Sequence, residues 1–186
     1  MSKRLKKVSE ETLAQNPYWD YKHDVYELPD GTHGDYYYGE ENGSAMIVPI
    51  LDDGRLVLVV QQRYLRDKPS VEFPCGGLNK DETPQEGAAR ELQVETGFQS
   101  TNFIKSGAFD ALNGLFKDTT HVFVADELVK QSEPSPDATE NFEILYRRVE
   151  EFEEMIRRGE IWDGQTLAVW ALSREQALKK IYERQG

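Results

Sequence analysis

From Gly76 to Phe98 the chain reads GGLNKDETPQEGAARELQVETGF, and this run commits it to a loop, a helix and a second loop. Thr83-Pro84-Gln85-Glu86 supplies a capping threonine, a proline at the first helical position and a glutamate three residues past the cap. Gly97 stands where a left-handed stop is expected, so the spacing predicts a helix from Pro84 to Thr96. At about 3.6 residues per turn, Glu91 and Glu95 fall one above the other, with Ala88, Ala89 and Leu92 as a core stripe beside them. Two carboxylates at this spacing repel each other. A solvated acidic face is the ordinary reading of such a pair. Beside an apolar stripe, the pair makes chemical sense when a hard, oxygen-seeking cation lies between the two groups.

Composition narrows the setting. A chain of 186 residues forms one domain, with room for a small appendage, and is long enough for a sizeable core. Its net charge of −12 argues against coating nucleic acid, which needs a basic surface. The same charge would repel an anionic diphosphate unless a divalent metal neutralised the site. Cys75 is the only cysteine, so no internal disulfide can form and a reducing compartment is expected. No apolar run reaches the length of a membrane span, and MSKRLKKVSEE lacks the apolar segment of a secretory signal, so its lysines read as a solvated, frayed end. The expectation is a soluble cytoplasmic protein with no membrane or nucleic-acid partner.

Elsewhere the pattern is strands, helix, strands, helices. Trp19–Leu28 and Asp35–Glu40 flank a Pro29-Asp30-Gly31 turn and read as a hairpin. Ala45–Leu51 and Leu56–Tyr64 are apolar strands joined by Asp52-Asp53-Gly54, and read as parts of one buried sheet. Phe103–Phe109, His121–Ala125 and Glu143–Arg148 are further strand candidates, and Leu128–Thr139 reads as a loop. Val149–Arg158 and Asp163–Gln176 carry helical periodicity with a break at Gly159. This order predicts an α+β sandwich with a mixed sheet between helices. Residues 1–43 would form an N-terminal extension and hairpin, and 44–186 the main domain. The aromatic content of the extension exceeds what a free hairpin stably exposes, which favours contact with a second subunit over packing on the core.

The spacing of Gly76, Glu82, Arg90-Glu91-Leu92, Glu95 and Gly97-Phe98 resembles the Nudix box, the signature of hydrolases that cleave nucleoside diphosphates linked to another moiety. Eight of its nine specified positions are matched. The ninth, the first glutamate of the usual Glu-Glu pair, is Val94. In the family that position often supplies a metal ligand, so the departure implies a weakened or missing cation site, compensation by another carboxylate, or lost activity. Outside the box, Asn16-Pro17-Tyr18-Trp19, Gln62-Arg63, Glu72-Phe73-Pro74-Cys75-Gly76-Gly77 and Gly159-Glu160-Ile161 with Thr166 look like the branch of ADP-ribose and nucleoside-diphosphate-sugar pyrophosphatases.

That resemblance implies a Nudix-type α/β/α sandwich and a homodimer in which an N-terminal hairpin swaps between subunits. It also implies metal-dependent hydrolysis of a diphosphate bridge to a nucleoside monophosphate and a sugar phosphate. Mg²⁺ or Mn²⁺ would be held by Glu91, Glu95 and the backbone carbonyl of Cys75, with Glu82 either a ligand or a partner of Arg90. Arg90 would fix the loop and orient the ligands. Arg63 would clamp the diphosphate, pair with Glu72, or do both. Trp19 or Tyr18 would stack on the base. Glu140, in the acidic loop before the last strand, would serve as general base, the competing reading being a solvated loop. Asn113-Gly114 stands where the ADP-ribose branch often has a proline–glycine pair, which tilts the expectation toward a nucleoside diphosphate sugar without excluding ADP-ribose. A non-hydrolytic binder or sensor of such nucleotides is the alternative function.

Overall fold

The computed structural model describes residues 4–135 and 142–185. In chain order the elements are β1 (Lys6–Gln15), β2 (Asp20–Glu27), β3 (His33–Glu40), β4 (Ser44–Pro49), β5 (Leu56–Arg63), a single 3₁₀ turn (Tyr64–Arg66), β6 (Lys68–Glu72) and β7 (Cys75–Gly77). Then come α1 (Pro84–Thr96), β8 (Phe98–Gln99), β9 (Asn102–Phe109), β10 (Phe116–Lys117), β11 (Thr120–Asp126), β12 (Val129–Lys130), β13 (Phe142–Arg147), α2 (Val149–Arg157) and α3 (Gly164–Gln185). The chain divides into two compact units, Met1–Asn42 with Asp110–Thr119, and Gly43–Phe109 with Thr120–Gly186.

The larger unit is an α/β/α sandwich. Its central sheet runs β7-β4-β11-β9 and is mixed, with β11 parallel to β4 and antiparallel to β9. A second sheet, β13-β5-β6, is antiparallel. Period-2 alternation sends the two sets of side chains to two cores. Met46, Val48, Ile50, Leu56, Leu58, Val122 and Val124 pack with Phe152 of α2 and with Val169, Trp170, Ala177 and Ile181 of α3. Ala45, Ile47, Val57, Phe123 and Ala125 pack with Ala88 and Leu92 of α1. The strands are buried on both faces, which is why they read as continuous apolar runs.

Here the sequence expectation needs correcting. The Asp52-Asp53-Gly54 turn does not join neighbours in one sheet. Beyond an isolated Ile50–Leu56 bridge, β4 and β5 part into different sheets. A two-faced apolar strand carries no mark of which neighbour it pairs with, because its register is set by distant strands. The last helix also runs past Gln176 to Gln185, and Ala177 and Ile181 continue its buried stripe. The predicted loop after Leu128 contains the short strand β12, paired with β8.

The smaller unit is a sheet in the order β1-β2-β3-β10. Lys6 and Lys7, read from the sequence as a frayed end, belong to a ten-residue strand whose register shifts between Lys7 and Ser9 and between Thr12 and Ala14. β1 pairs along β2 from Lys6↔Glu27 to Gln15↔Asp20. Ion pairs tie the strands together: Lys6 Nζ reaches Glu27 at 3.1 Å, Lys7 reaches Asp24 at 3.0 Å, and Lys22 reaches Glu10 and Glu40 at 3.3 Å each. Every residue of β1 is exposed, so hydrophobic alternation could not reveal it. The excursion 110–119 adds β10, which runs parallel to β3.

Candidate active site

α1 forms as its sequence dictates. Thr83 Oγ1 accepts the Glu86 N–H at 3.3 Å, Glu86 accepts the Thr83 N–H at 2.9 Å, and Gly97 closes the helix at φ +71°. Its buried face holds Gly87, Ala88 and Leu92, and also both carboxylates: Glu91 is 9% exposed and Glu95 4%. Burying a carboxylate without compensation is strongly unfavourable, so the surroundings of these two must supply donors or cations.

Part of that supply comes from β7. The Cys75 N–H donates to Glu95 Oε2 at 3.1 Å. A Cβ placed on Gly76 would land on the Glu91 carboxylate. The absence of a side chain at Gly76 is therefore what lets the carboxylate lie against this strand. β7 itself is held by pairing with β4, Ala45 opposite Gly76 and Met46 opposite Cys75.

Arg90 ties the helix to the loop. Its Nε donates to Glu82 Oε1 at 2.9 Å, and its Nη2 donates to Glu82 Oε2 at 2.9 Å and to the Gly77 carbonyl at 2.8 Å. Its Nη1 pairs with Glu91. The Asn79 N–H donates to Glu82 Oε2 at 2.8 Å. Arg90, aided by that N–H, holds the Glu82 carboxyl down to about 2. Both Glu82 oxygens are thus committed to the brace. The loop also seats its Leu78 side chain against Gly87 of the helix.

At the end of β5, Arg63 forms a two-pronged ion pair with buried Glu72, its Nε donating to Oε1 at 2.8 Å and its Nη2 pairing with Oε2. Gln61 Nε2 donates to Glu72 Oε2 at 3.3 Å, a contact the sequence reading missed. Strand alternation was the available signal, since Gln61 and Arg63 share a face. Cys75 is partly buried; burial, followed by the Glu95, Glu91 and Glu72 carboxylates, pushes its thiol well above the usual cysteine range. A protonated thiol is a poor nucleophile.

Val94 is half-buried, and its carbonyl accepts the Ser135 N–H at 2.8 Å. Trp19 and Tyr18 belong to the smaller unit, where they line a cavity of about 320 Å³ with Glu40, Glu41 and Asn42. The Trp19 ring meets Phe116 edge-on at 5.5 Å, and Tyr18 is 81% exposed. Glu140 lies outside the described residues.

The donor chemistry around Gly76 suits a hard divalent cation, since the side chains that converge there offer carboxylate oxygen. Among the described residues no group of three or more His, Cys, Asp and Glu side chains is placed to hold a metal ion. A cation here would therefore draw on Glu91 and Glu95, with backbone oxygen, water and substrate completing its shell.

Comparison with known proteins agrees with this geometry. Residues 41–169 match the family model described as the NUDIX domain. An ADP-ribose pyrophosphatase of Bacillus subtilis (strain 168) is 30% identical over 183 residues, 94% of this chain and 98% of that protein. A methanol dehydrogenase activator of Bacillus methanolicus is also 30% identical, over 84% of this chain and 85% of its own length. The crystal structure of an ADP compounds hydrolase superposes with a TM-score of 0.82 over 96% of both chains, at 20% identity, which speaks for the fold. With a family model spanning most of the chain and a full-length relative at this identity, the chain belongs to the Nudix hydrolase family.

Proposed function

We propose that this Nudix hydrolase cleaves the diphosphate bridge of a nucleoside diphosphate sugar, with ADP-ribose the first compound to test. The observation that carries the reading is the pair of buried carboxylates, Glu91 and Glu95, turned onto a strand whose glycine leaves room for them. ADP-ribose comes first because the full-length Bacillus subtilis relative is an ADP-ribose pyrophosphatase.

Mg²⁺ or Mn²⁺ is the proposed cofactor; when bound it would neutralise phosphate charge and draw electron density from phosphorus. Glu91, Glu95 and the Cys75 carbonyl are its proposed ligands. Arg90 and Glu82 hold the loop and helix at a fixed spacing so that those oxygens stay converged. Arg63, held by Glu72, is the proposed clamp on a diphosphate oxygen through its remaining N–H groups. Glu140 is the proposed base that takes the proton of the attacking water, and Trp19 or Tyr18 the proposed platform for the base.

The smaller unit exposes Val8, Leu13, Trp19, Tyr21, Tyr36 and Tyr37, an apolar surface that fits a homodimer built through residues 1–43. A cytoplasmic setting fits the single cysteine. Among the described residues no helix is long and apolar enough to cross a membrane.

The deciding experiment follows nucleoside monophosphate release from ADP-ribose, GDP-mannose, UDP-glucose, ADP-glucose and a nucleoside triphosphate, with Mg²⁺, with Mn²⁺ and with chelator. Metal-dependent cleavage of a diphosphate sugar is expected, falling by orders of magnitude in Glu95→Gln. Binding without turnover under every condition would overturn the hydrolytic reading.

A further inference from the structure

The 3₁₀ turn between β5 and β6 carries a feature that neither packing nor stability explains. Tyr64 and Leu65 are each 92% exposed, more than any other large apolar side chain among the described residues. A single exposed Leu on a floppy loop would mean little. This turn is built to hold its shape. Ladder pairing runs up to its base, with Arg63 opposite Lys68 and Gln62 opposite Pro69. The Asp67 N–H donates to the Tyr64 carbonyl at 3.2 Å, with Asp67 in the left-handed region at φ +47°, and Gln62 Nε2 donates to Asp67 Oδ1 at 3.2 Å. On the outgoing side, Lys68 Nζ sits 4.1 Å above the Trp162 ring, whose Nε1 donates to the Pro69 carbonyl at 3.0 Å. An aromatic and an aliphatic side chain are thus presented to solvent by backbone pinned on both sides.

Charge and position say what the turn is presented to. Arg66 makes no ion pair among the described residues, in a chain whose net charge is −12. Its other nearby cations are engaged, Arg63 by Glu72 and Lys68 by the Trp162 ring. Arg63 immediately precedes the turn, and Glu72, which it grips, lies three residues before Cys75 on the segment leading into β7. A free guanidinium and an exposed phenol ring, two residues apart and next to that arginine, match an anionic ligand with a flat apolar part.

We propose that Tyr64 and Arg66 form a substrate grip: Arg66 attracts the diphosphate, and Tyr64 lies against the base or sugar of the same nucleoside diphosphate sugar. The grip rests on the functional reading above and adds two specificity-determining residues to it. Because it contributes equally before and during reaction, it acts on affinity and not on the chemical step.

The test compares wild type with Tyr64→Ala, Tyr64→Phe and Arg66→Ala in the 186-residue chain, by steady-state kinetics on ADP-ribose and by calorimetric binding of ADP-ribose. Both alanine variants are expected to raise KM and Kd by about tenfold with kcat unchanged, the scale of one charge-assisted bond or one stacked ring. Tyr64→Phe should stay close to wild type, and the KM of Arg66→Ala should depend less on salt. Circular dichroism should be unchanged, since the altered side chains are exposed. Unaltered KM and Kd in both alanine variants would overturn the grip while leaving the hydrolase reading intact. Wild type that binds ADP-ribose without cleaving it would overturn hydrolysis, and the variants' Kd values would still judge the grip. Wild type that neither binds nor cleaves any compound of the panel would overturn both.

Discussion

The two units of this chain are held together by different physics. In the larger, β4, β11 and the first half of β5 bury nearly every side chain, and Phe73, Phe152 and Trp170 interlock at 5.1–6.2 Å between ring centroids. In the smaller, β1 buries nothing, and the strands are joined by ion pairs and by surface rings such as His23 stacked on Tyr37 at 4.5 Å. Apolar burial is not screened by salt, whereas exposed ion pairs are, and they weaken as their carboxylates take up protons. Where burial is complete, charge must be paired, as Glu72 is by Arg63 and Asp126 by Lys180 and Arg184. Where strands are exposed, charge is the structural material itself.

Four measurements would break or sharpen this contrast. Phe152→Ala removes a fully buried ring and should cost about 3–5 kcal/mol of stability by denaturant titration. A much smaller loss would show that the interlocked rings are not the larger unit's main support. Gly76→Ala should leave the fold standing, because the Glu91 carboxylate can swing aside, but misplacing it should lower kcat by about 10²-fold. Retained activity would separate Glu91 from the chemistry. Raising salt to 1 M shrinks the screening length to about 3 Å and should lower amide-exchange protection in β1 and β2 while leaving β4 and β11 unchanged.

The smallest effect concerns His23, whose ring nitrogens lie 2.7 Å from Asp35 Oδ1 and 3.2 Å from Glu11 Oε1. Asp35 first, then Glu11, raise its pKa above the ordinary histidine value. The folded sheet favours the imidazolium, so the stability it adds is complete below pH about 6.5 and fades as pH rises through the raised folded-state value. NMR titration should place the His23 pKa above that of an unfolded peptide, with exchange protection in β2 falling over the same range. His23→Gln should abolish the dependence.

What the sequence disclosed follows the same division. α1 was legible down to its caps because Thr83, Glu86 and Gly97 act within a few residues of themselves. The convergence of Glu91 with Glu95 was legible because helical geometry alone requires it. The Cys75 N–H on Glu95 was not, since it needs α1 packed on β7, and the Gln61 contact to Glu72 showed only as a strand face shared with Arg63, its partner being fixed by the pairing of β5 with β6. The parting of β4 and β5 was hidden for a similar reason: an apolar strand names its burial but not its neighbour. β1 escaped because exposed cross-strand ion pairs leave no periodic apolar trace.

The excursion at Asp110–Thr119 carries a last consequence. It leaves the larger unit, lends β10 and the Phe116 ring to the smaller sheet, and returns. The smaller unit is therefore assembled from two separate stretches of chain, and no single cut excises it. Removing residues 1–42 would strand β10 without its partner, and grafting them elsewhere would leave β3 without its parallel neighbour. As a unit of inheritance or of engineering, this appendage does not travel alone: it can be exchanged between relatives only together with a ten-residue loop drawn from the middle of the larger unit.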